Sequence, residues 1–139
     1  MKILCTICMR SGSKGIKNKN LSKIGNKHLM YYTINKAILS EVFSSIAVST
    51  DSSKILNLAS KYGADGWFLR SKKLSGDKVG KLPVIKNLLD QSEKKFNLRY
   101  DYIVDLDITA PLRTVSDIKK AIKKIIKEKK RNLVTITDS

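Results

Sequence analysis

The chain has 139 residues, of which 42% are apolar, and its 28 Lys and Arg against 12 Asp and Glu give a net charge of +16. This length fits one modest domain or a piece of a larger one, and the apolar fraction excludes a wholly disordered chain. No stretch reaches the roughly 20 apolar residues of a membrane-spanning helix, and the N-terminal apolar run is too short for a signal peptide, so we expect a cytoplasmic protein without a membrane partner.

The positive charge is concentrated at the N-terminus, where the first forty residues contain no acid and the first carboxylate is Glu41. Such a surplus attracts phosphate-bearing partners, either a nucleotide or a nucleic acid. The alternative is a general preference for lysine throughout the chain.

Strand and helix patterns alternate along the sequence. A continuous apolar, β-branched run at 3–8 is typical of a strand buried on both faces, and residues 9–20 read as a loop. Helical spacing follows at 28–40, and after the strand pattern at 43–50, Asp51 or Ser52 can cap a helix that closes at Gly63. The later predicted elements are strands at 67–69, 102–107 and 133–136, a helix at 82–96, and a helix capped by Ser116.

This alternation predicts an α/β fold with a mostly parallel sheet and helices on both faces. Ligands of such sheets bind at the carboxyl ends of the strands, so the loops after Cys8, Thr50 and Asp107 are the candidate binding loops. The chain ends directly after a predicted strand, where a covering helix would normally follow, and we therefore expect a truncated domain.

The loop after the first strand combines glycines with cations, in the segment Arg10-Ser-Gly-Ser-Lys-Gly15 and the following Lys19-Asn20. Glycines let the backbone approach a ligand, and the side chains of Arg10, Lys14 and Lys19 would surround it with positive charge, which suits a triphosphate. The segment matches neither a Walker A loop nor a G-x-G-x-x-G fingerprint. A solvated basic loop is the alternative.

Two carboxylates, Asp105 and Asp107, follow the fourth predicted strand two residues apart. Their side chains would share one face and could hold Mg²⁺ directly or through water. Alternatively, Asp105 bonds a neighbouring backbone group and only Asp107 faces the ligand.

Two further patterns have structural explanations. Cys5 and Cys8 lie inside a predicted strand, so their sulfurs should point to opposite faces, which favours buried thiols over a redox or zinc site. The lysines between 119 and 127 lie opposite an isoleucine face and have no interleaved aromatic residues, so we expect no nucleic-acid partner.

Several motifs occur in the order and spacing of one enzyme family. The first loop, Gly25-Asn-Lys-His-Leu29, Ser49-Thr-Asp-Ser52, the segments 62–64, 68–70 and 74–77, and Thr109-Ala-Pro-Leu-Arg113 together resemble the acylneuraminate cytidylyltransferases, or CMP-sialic acid synthetases. The resemblance extends over essentially the whole chain. It implies a Rossmann-like nucleotide-diphospho-sugar transferase fold and transfer of CMP from CTP to a nine-carbon keto-sugar acid, with Mg²⁺ as cofactor and a homodimer in the full-length enzyme.

The resemblance also implies roles for single residues. Arg10 and Lys19 match the catalytic positions that contact the CTP phosphates. Other matched CTP-binding positions are Ser13, Lys14, Gly15 and Asn20 in the same loop, Arg70 and Ser75 near the base and ribose, and Asp107 where the family commonly has glutamine.

Asp105-Leu-Asp107 is similar to the branch that activates legionaminic-acid-type sugars. Other keto-sugar acids, 3-deoxy-manno-octulosonate or pseudaminate, are alternatives, as is an inactive fragment or a non-catalytic basic nucleotide- or nucleic-acid-binding protein. We expect residues 1–139 to be the CTP-binding portion, without the family's later acidic pair, sugar-acid contacts and dimer segment, and hence to bind CTP weakly and not to turn over.

Overall fold

The computed structural model describes residues 1–11, 21–76, 79–108, 114–128 and 135–137. In chain order its strands are β1 (Ile3–Cys8), β2 (Lys23–Ile24), β3 (Lys27–His28), β4 (Ser45–Ser49), β5 (Tyr102–Asp105) and β6 (Thr135–Thr137). Its α-helices are α1 (Leu29–Ser40), α2 (Ser53–Lys61), α3 (Lys81–Phe96) and α4 (Val115–Lys127). No helix within these described ranges is both long and apolar enough to cross a membrane.

The main sheet is parallel, with the strand order β4-β1-β5-β6, while β2 and β3 form a small antiparallel hairpin. The chain passes from β1 to β4 on one side and then crosses to β5 on the other side of β1. A crevice therefore opens between the carboxyl ends of β1 and β5, at the point where the winding direction reverses.

Helices cover both faces of the sheet. Ile3, Cys5 and Ile7 of β1 belong to a core that includes residues of α1, α2 and α4, whereas Leu4 packs against Leu88 of α3 on the opposite face. Because alternate residues of a strand point to opposite faces, the continuous apolar run of β1 serves both cores. The predicted α/β architecture with helices on both faces is confirmed.

The predicted strand at 67–69 is wrong. Only Asp65 reaches the edge of β4, where it donates its N–H to the Ile46 carbonyl at 2.7 Å and accepts from the Val48 N–H at 3.0 Å. Trp67 packs against Phe96 of α3, with ring centroids 5.5 Å apart. Trp67 and Phe68 thus pack against the core on the α3 face without pairing in the sheet, and Leu69 is 51% exposed.

The predicted cap of the last helix is also wrong. Thr114, not Ser116, precedes α4, and its side chain accepts the Asp117 N–H at 3.1 Å while the Asp117 carboxylate accepts the Thr114 N–H at 3.2 Å. This reciprocal pair satisfies two N–H groups that the first helical turn leaves without partners.

Thr114→Ala should lower the free energy of unfolding by about 1 kcal/mol, because the helix loses its capping oxygen. Ser116→Ala is the matched control, and we expect it to stay within about 0.5 kcal/mol of the parent chain. Urea unfolding followed by circular dichroism measures both. A larger loss for Ser116→Ala than for Thr114→Ala would contradict the assigned cap.

Candidate active site

A polar group lies in the otherwise apolar layer between β1, β5 and α3. Asp105, the last residue of β5, is fully buried and pairs in register with Thr6 of β1. The Thr6 hydroxyl donates to Asp105 Oδ1 at 2.7 Å, and the Cys8 thiol lies 3.8 Å from the same oxygen. A buried carboxylate requires compensation of this kind, because desolvation of an unpaired charge is very costly.

Lys81, the first residue of α3, supplies the opposite charge. Its Nζ lies 2.6 Å from Asp105 Oδ2 and 4.0 Å from Oδ2 of Asp107. Burial lowers the pKa of Lys81, but the hydrogen bond and charge of Asp105 and the charge of Asp107 more than offset this, so the net pKa is raised. Within the described part of the chain, Oδ2 of Asp105 has no hydrogen-bonding neighbour apart from this ammonium.

Among the residues that the structure describes, the partners of the Asp105 carboxylate are the side chains of Thr6 and Lys81. The side chain of Asp107 is 39% exposed, and its Oδ2 lies 4.0 Å from the nitrogen of the same lysine. The two carboxylates thus share one cation but differ in access to solvent. Asp105 is buried in the core, whereas the side chain of Asp107 is partly exposed to solvent.

Arg70 connects the carboxyl ends of β1 and β4. Its guanidinium donates from Nε to the Ser49 hydroxyl at 2.9 Å and from Nη2 to the carbonyls of Ser49, at 2.8 Å, and Met9, at 3.4 Å. The residue is only 6% exposed. Burial lowers its pKa, an effect that the negative charge of Asp51 opposes. The structure thus places Arg70 as a buried connection beneath the two binding loops.

A second connection joins the same loops at the surface. The Asp51 carboxylate, directly after β4, accepts the Ser11 N–H at 2.7 Å and the Ser11 hydroxyl at 3.0 Å. Arg10, half-buried between the two connections, is close enough for its charge to lower the pKa of Arg70. The start of the first loop is therefore held against the end of β4.

Cys8 lies close to two charged groups, the Asp105–Lys81 pair and the guanidinium of Arg70. Burial, followed by the charge of Asp105, raises the pKa of its thiol to about 12, while the charges of Arg70 and Lys81 act in the opposite direction. Cys5 belongs to the core on the other face, and burial raises its thiol pKa as well. Both cysteines are free thiols on opposite faces of β1, as the strand pattern predicts.

The structure brings four predicted site residues to the carboxyl edge of the sheet, namely Arg10, Arg70, Asp105 and Asp107. Ser75 instead follows a 3₁₀ turn at Lys72–Leu74, and its hydroxyl donates to the Ser71 carbonyl at 2.8 Å. The other predicted CTP-binding residues lie outside the described residues: Ser13, Lys14, Gly15, Lys19 and Asn20.

Lys81 was not predicted from the sequence. A signal for it exists at the start of α3, where Gly80 makes no side-chain cap and the first turn contains no acidic residue. A lysine at this position is unfavourable because the N-terminal end of a helix already carries partial positive charge. In the structure, the lysine at the start of α3 has a tertiary partner, Asp105.

The carboxylates can be tested for their fit to Mg²⁺. In the described ranges no three His, Cys, Asp or Glu side chains come together as a metal-binding group. Mg²⁺ commonly uses only one or two carboxylates and completes its coordination with water and substrate phosphates. The half-exposed Asp107 fits that use, whereas both oxygens of Asp105 already face protein groups.

Comparison with known proteins places the chain among relatives of similar sequence. A family model described as cytidylyltransferase matches residues 4–139. The chain is 43% identical over 134 residues to the post-translational flagellin modification protein B of Campylobacter coli, covering 96% of the chain and 57% of that protein. It is 46% identical over 110 residues to the CMP-N,N'-diacetyllegionaminic acid synthase of Campylobacter jejuni, covering 79% and 47%.

A pseudaminic acid cytidylyltransferase of Campylobacter jejuni is 36% identical over 138 residues, covering 99% of the chain and 59% of that protein. The chain thus spans about half the length of the curated relatives it matches. A solved structure of CMP:2-keto-3-deoxy-manno-octonic acid synthetase complexed with CTP aligns with a TM-score of 0.74 at 16% identity, over 93% of this chain and 49% of that one. This likeness confirms the predicted fold.

Proposed function

The chain belongs to the cytidylyltransferase family, and we propose that it is the CTP-binding portion of an enzyme that transfers CMP from CTP to a nine-carbon keto-sugar acid and releases pyrophosphate. The observation that carries this proposal is the charged group at the carboxyl edge of the sheet. Arg10 begins a basic loop on one side of the β1 end, and Asp107 with Lys81 lies on the other side. Nucleotides bind at this position in open α/β sheets.

The proposed chemistry is substitution at the α-phosphorus of CTP. The anomeric hydroxyl of the sugar acid gives up its proton to water, its oxygen forms the new bond to the α-phosphorus, and the bond from that phosphorus to the pyrophosphate oxygen breaks. Arg10 and Lys19 would contact the phosphates and stabilise the negative charge that develops on pyrophosphate. Mg²⁺, when bound, would neutralise the phosphate oxygens, with Asp107 as its ligand from this chain.

We propose a sugar acid of the legionaminic type as the acceptor. The relative of that name in Campylobacter jejuni and the Asp105-Leu-Asp107 sequence support this choice. The similarity to a pseudaminic acid cytidylyltransferase favours pseudaminate as the second candidate. We further propose that the whole enzyme is a homodimer, in which residues 1–139 provide the nucleotide site.

Thermal denaturation with nucleotides tests the nucleotide part of this proposal. CTP with Mg²⁺ should raise the melting temperature of the chain more than ATP with Mg²⁺ at equal concentration, because a ligand that binds only the folded state stabilises it by about 2.7 kcal/mol at 100 times its Kd. Equal shifts for the two nucleotides would contradict a cytidine site. Steep salt-dependent retention of DNA without a CTP-specific shift would instead indicate a nucleic-acid-binding protein.

A further inference from the structure

We propose that Lys81 is a positioning residue of the transfer site: it anchors Asp107 through the buried Asp105, so that the Asp107 carboxylate meets the divalent cation carried by the nucleotide. This inference rests on the proposed function. It adds a residue that neither the basic loop nor the sequence motifs assign, and it gives Asp105 and Asp107 different roles.

The ammonium group of Lys81 already has a partner within the protein. Its Nζ lies 2.6 Å from an oxygen of Asp105, and that carboxylate is fully buried. Moving the ammonium away to contact a phosphate would leave the buried carboxylate without a cation, which is strongly destabilising. The geometry therefore favours an anchor over a mobile phosphate ligand.

Asp105, the partner of Lys81, is itself held in place by a residue of β1. Asp105 Oδ1 accepts the Thr6 hydroxyl at 2.7 Å, so its carboxylate is held against β1, and only Oδ2 faces Lys81. These contacts form a series that runs from the core to the crevice: Thr6, Asp105, Lys81 and Asp107. Asp107 is the exposed end of this series, and its Oδ2 lies 4.0 Å from the lysine nitrogen, which is beyond hydrogen-bond distance, so Lys81 acts on it by charge.

Such outer partners commonly orient the residues that bind metals. Their replacement typically weakens metal affinity by about 10- to 100-fold, although they do not touch the metal. The position of Lys81 also contradicts the usual preference at a helix start, since α3 begins with a lysine and without an acidic residue in its first turn. The tertiary contact with the two carboxylates accounts for this exception.

The test measures CTP affinity of the chain with Mg²⁺ and with EDTA, in the parent protein and in Lys81→Met. We expect Lys81→Met to weaken CTP binding by about 10-fold or more with Mg²⁺ and by less than about 3-fold without it, because only the metal-dependent part uses Asp107. Lys86→Met, an exposed lysine of the same helix, is the matched control for loss of one positive charge and should change neither affinity. Circular dichroism confirms that each variant is folded.

Lys81→Arg keeps the charge but changes the reach of the side chain, and serves if Lys81→Met does not fold. We expect a smaller loss for it, again confined to the Mg²⁺ condition. Equal weakening with and without Mg²⁺ would show that Lys81 contacts the phosphates directly and would overturn the positioning role, as would unchanged affinity in both variants. Absence of CTP binding by the parent chain itself would overturn the proposed function and, with it, this inference.

Discussion

Arg70→Ala should lower the free energy of unfolding by about 3 kcal/mol, because each hydrogen bond from a charged donor contributes about 1.5 to 3 kcal/mol and Arg70 makes these bonds in a buried position. The guanidinium makes three such contacts, to the hydroxyl and carbonyl of Ser49 and to the carbonyl of Met9. In a domain of this size, that loss corresponds to a fall in melting temperature of about 10 °C. Urea unfolding and thermal denaturation both measure it.

Two control variants separate the loss of the planar guanidinium, with its several N–H donors, from the loss of positive charge. Arg70→Lys keeps a cation but has no planar fork, so we expect it to recover less than half of the lost stability. Arg99→Ala removes an exposed arginine and should change stability by less than about 0.5 kcal/mol. If Arg70→Ala were as stable as Arg99→Ala, the buried connection between the β1 and β4 ends would have no energetic importance.

Arg70 also shows what a sequence motif can predict about a residue and what it cannot. The family resemblance places Arg70 near the base and ribose, which stays a prediction, and the structure shows its guanidinium in contact with Met9 and Ser49. Motif spacing indicates that a residue belongs to the site region. It does not tell whether the side chain faces the ligand or supports the backbone that does.

Sequence patterns correctly predicted the elements whose bounds depend on residues that are neighbours in the sequence. The continuous apolar run of β1 has the predicted bounds because both of its faces are buried, and Ser52 caps α2 as expected. The strand prediction at 67–69 was wrong because Trp67 and Phe68 pack against the core on the α3 face, which requires apolar side chains as a buried strand does, while Leu69 is 51% exposed. Thr114 was missed although its reciprocal partner Asp117, three residues later, is a recognisable capping pattern.

The partner of Lys81 could not be predicted from a local sequence pattern. Its partner, Asp105, is 24 positions later in the sequence, on a strand that only the crossover of the chain brings beneath the start of α3. Nothing in the sequence pairs Lys81 with one particular carboxylate. The same crossover separates the roles of Asp105 and Asp107, which two-residue spacing alone treats as equivalent.

Arg10→Ala should weaken binding of CTP with Mg²⁺ by about 10- to 100-fold, since a charge-assisted contact to phosphate contributes about 1.5 to 3 kcal/mol. Arg10 follows β1 directly and lies in the segment that Asp51 and Arg70 hold in place, so its side chain is presented from a fixed backbone. Lys19→Ala should act in the same direction, as the family resemblance implies. Isothermal titration at fixed ionic strength measures both.

Lys119→Ala is the matched control for charge, because this exposed lysine of α4 lies outside the crevice. In a chain of net charge +16, removing any one cation reduces nonspecific attraction slightly, and that reduction should be all that Lys119→Ala causes. A loss for Arg10→Ala no larger than for Lys119→Ala would reject the phosphate role of Arg10. A loss that persists at high salt, where diffuse attraction is screened, would support a direct contact.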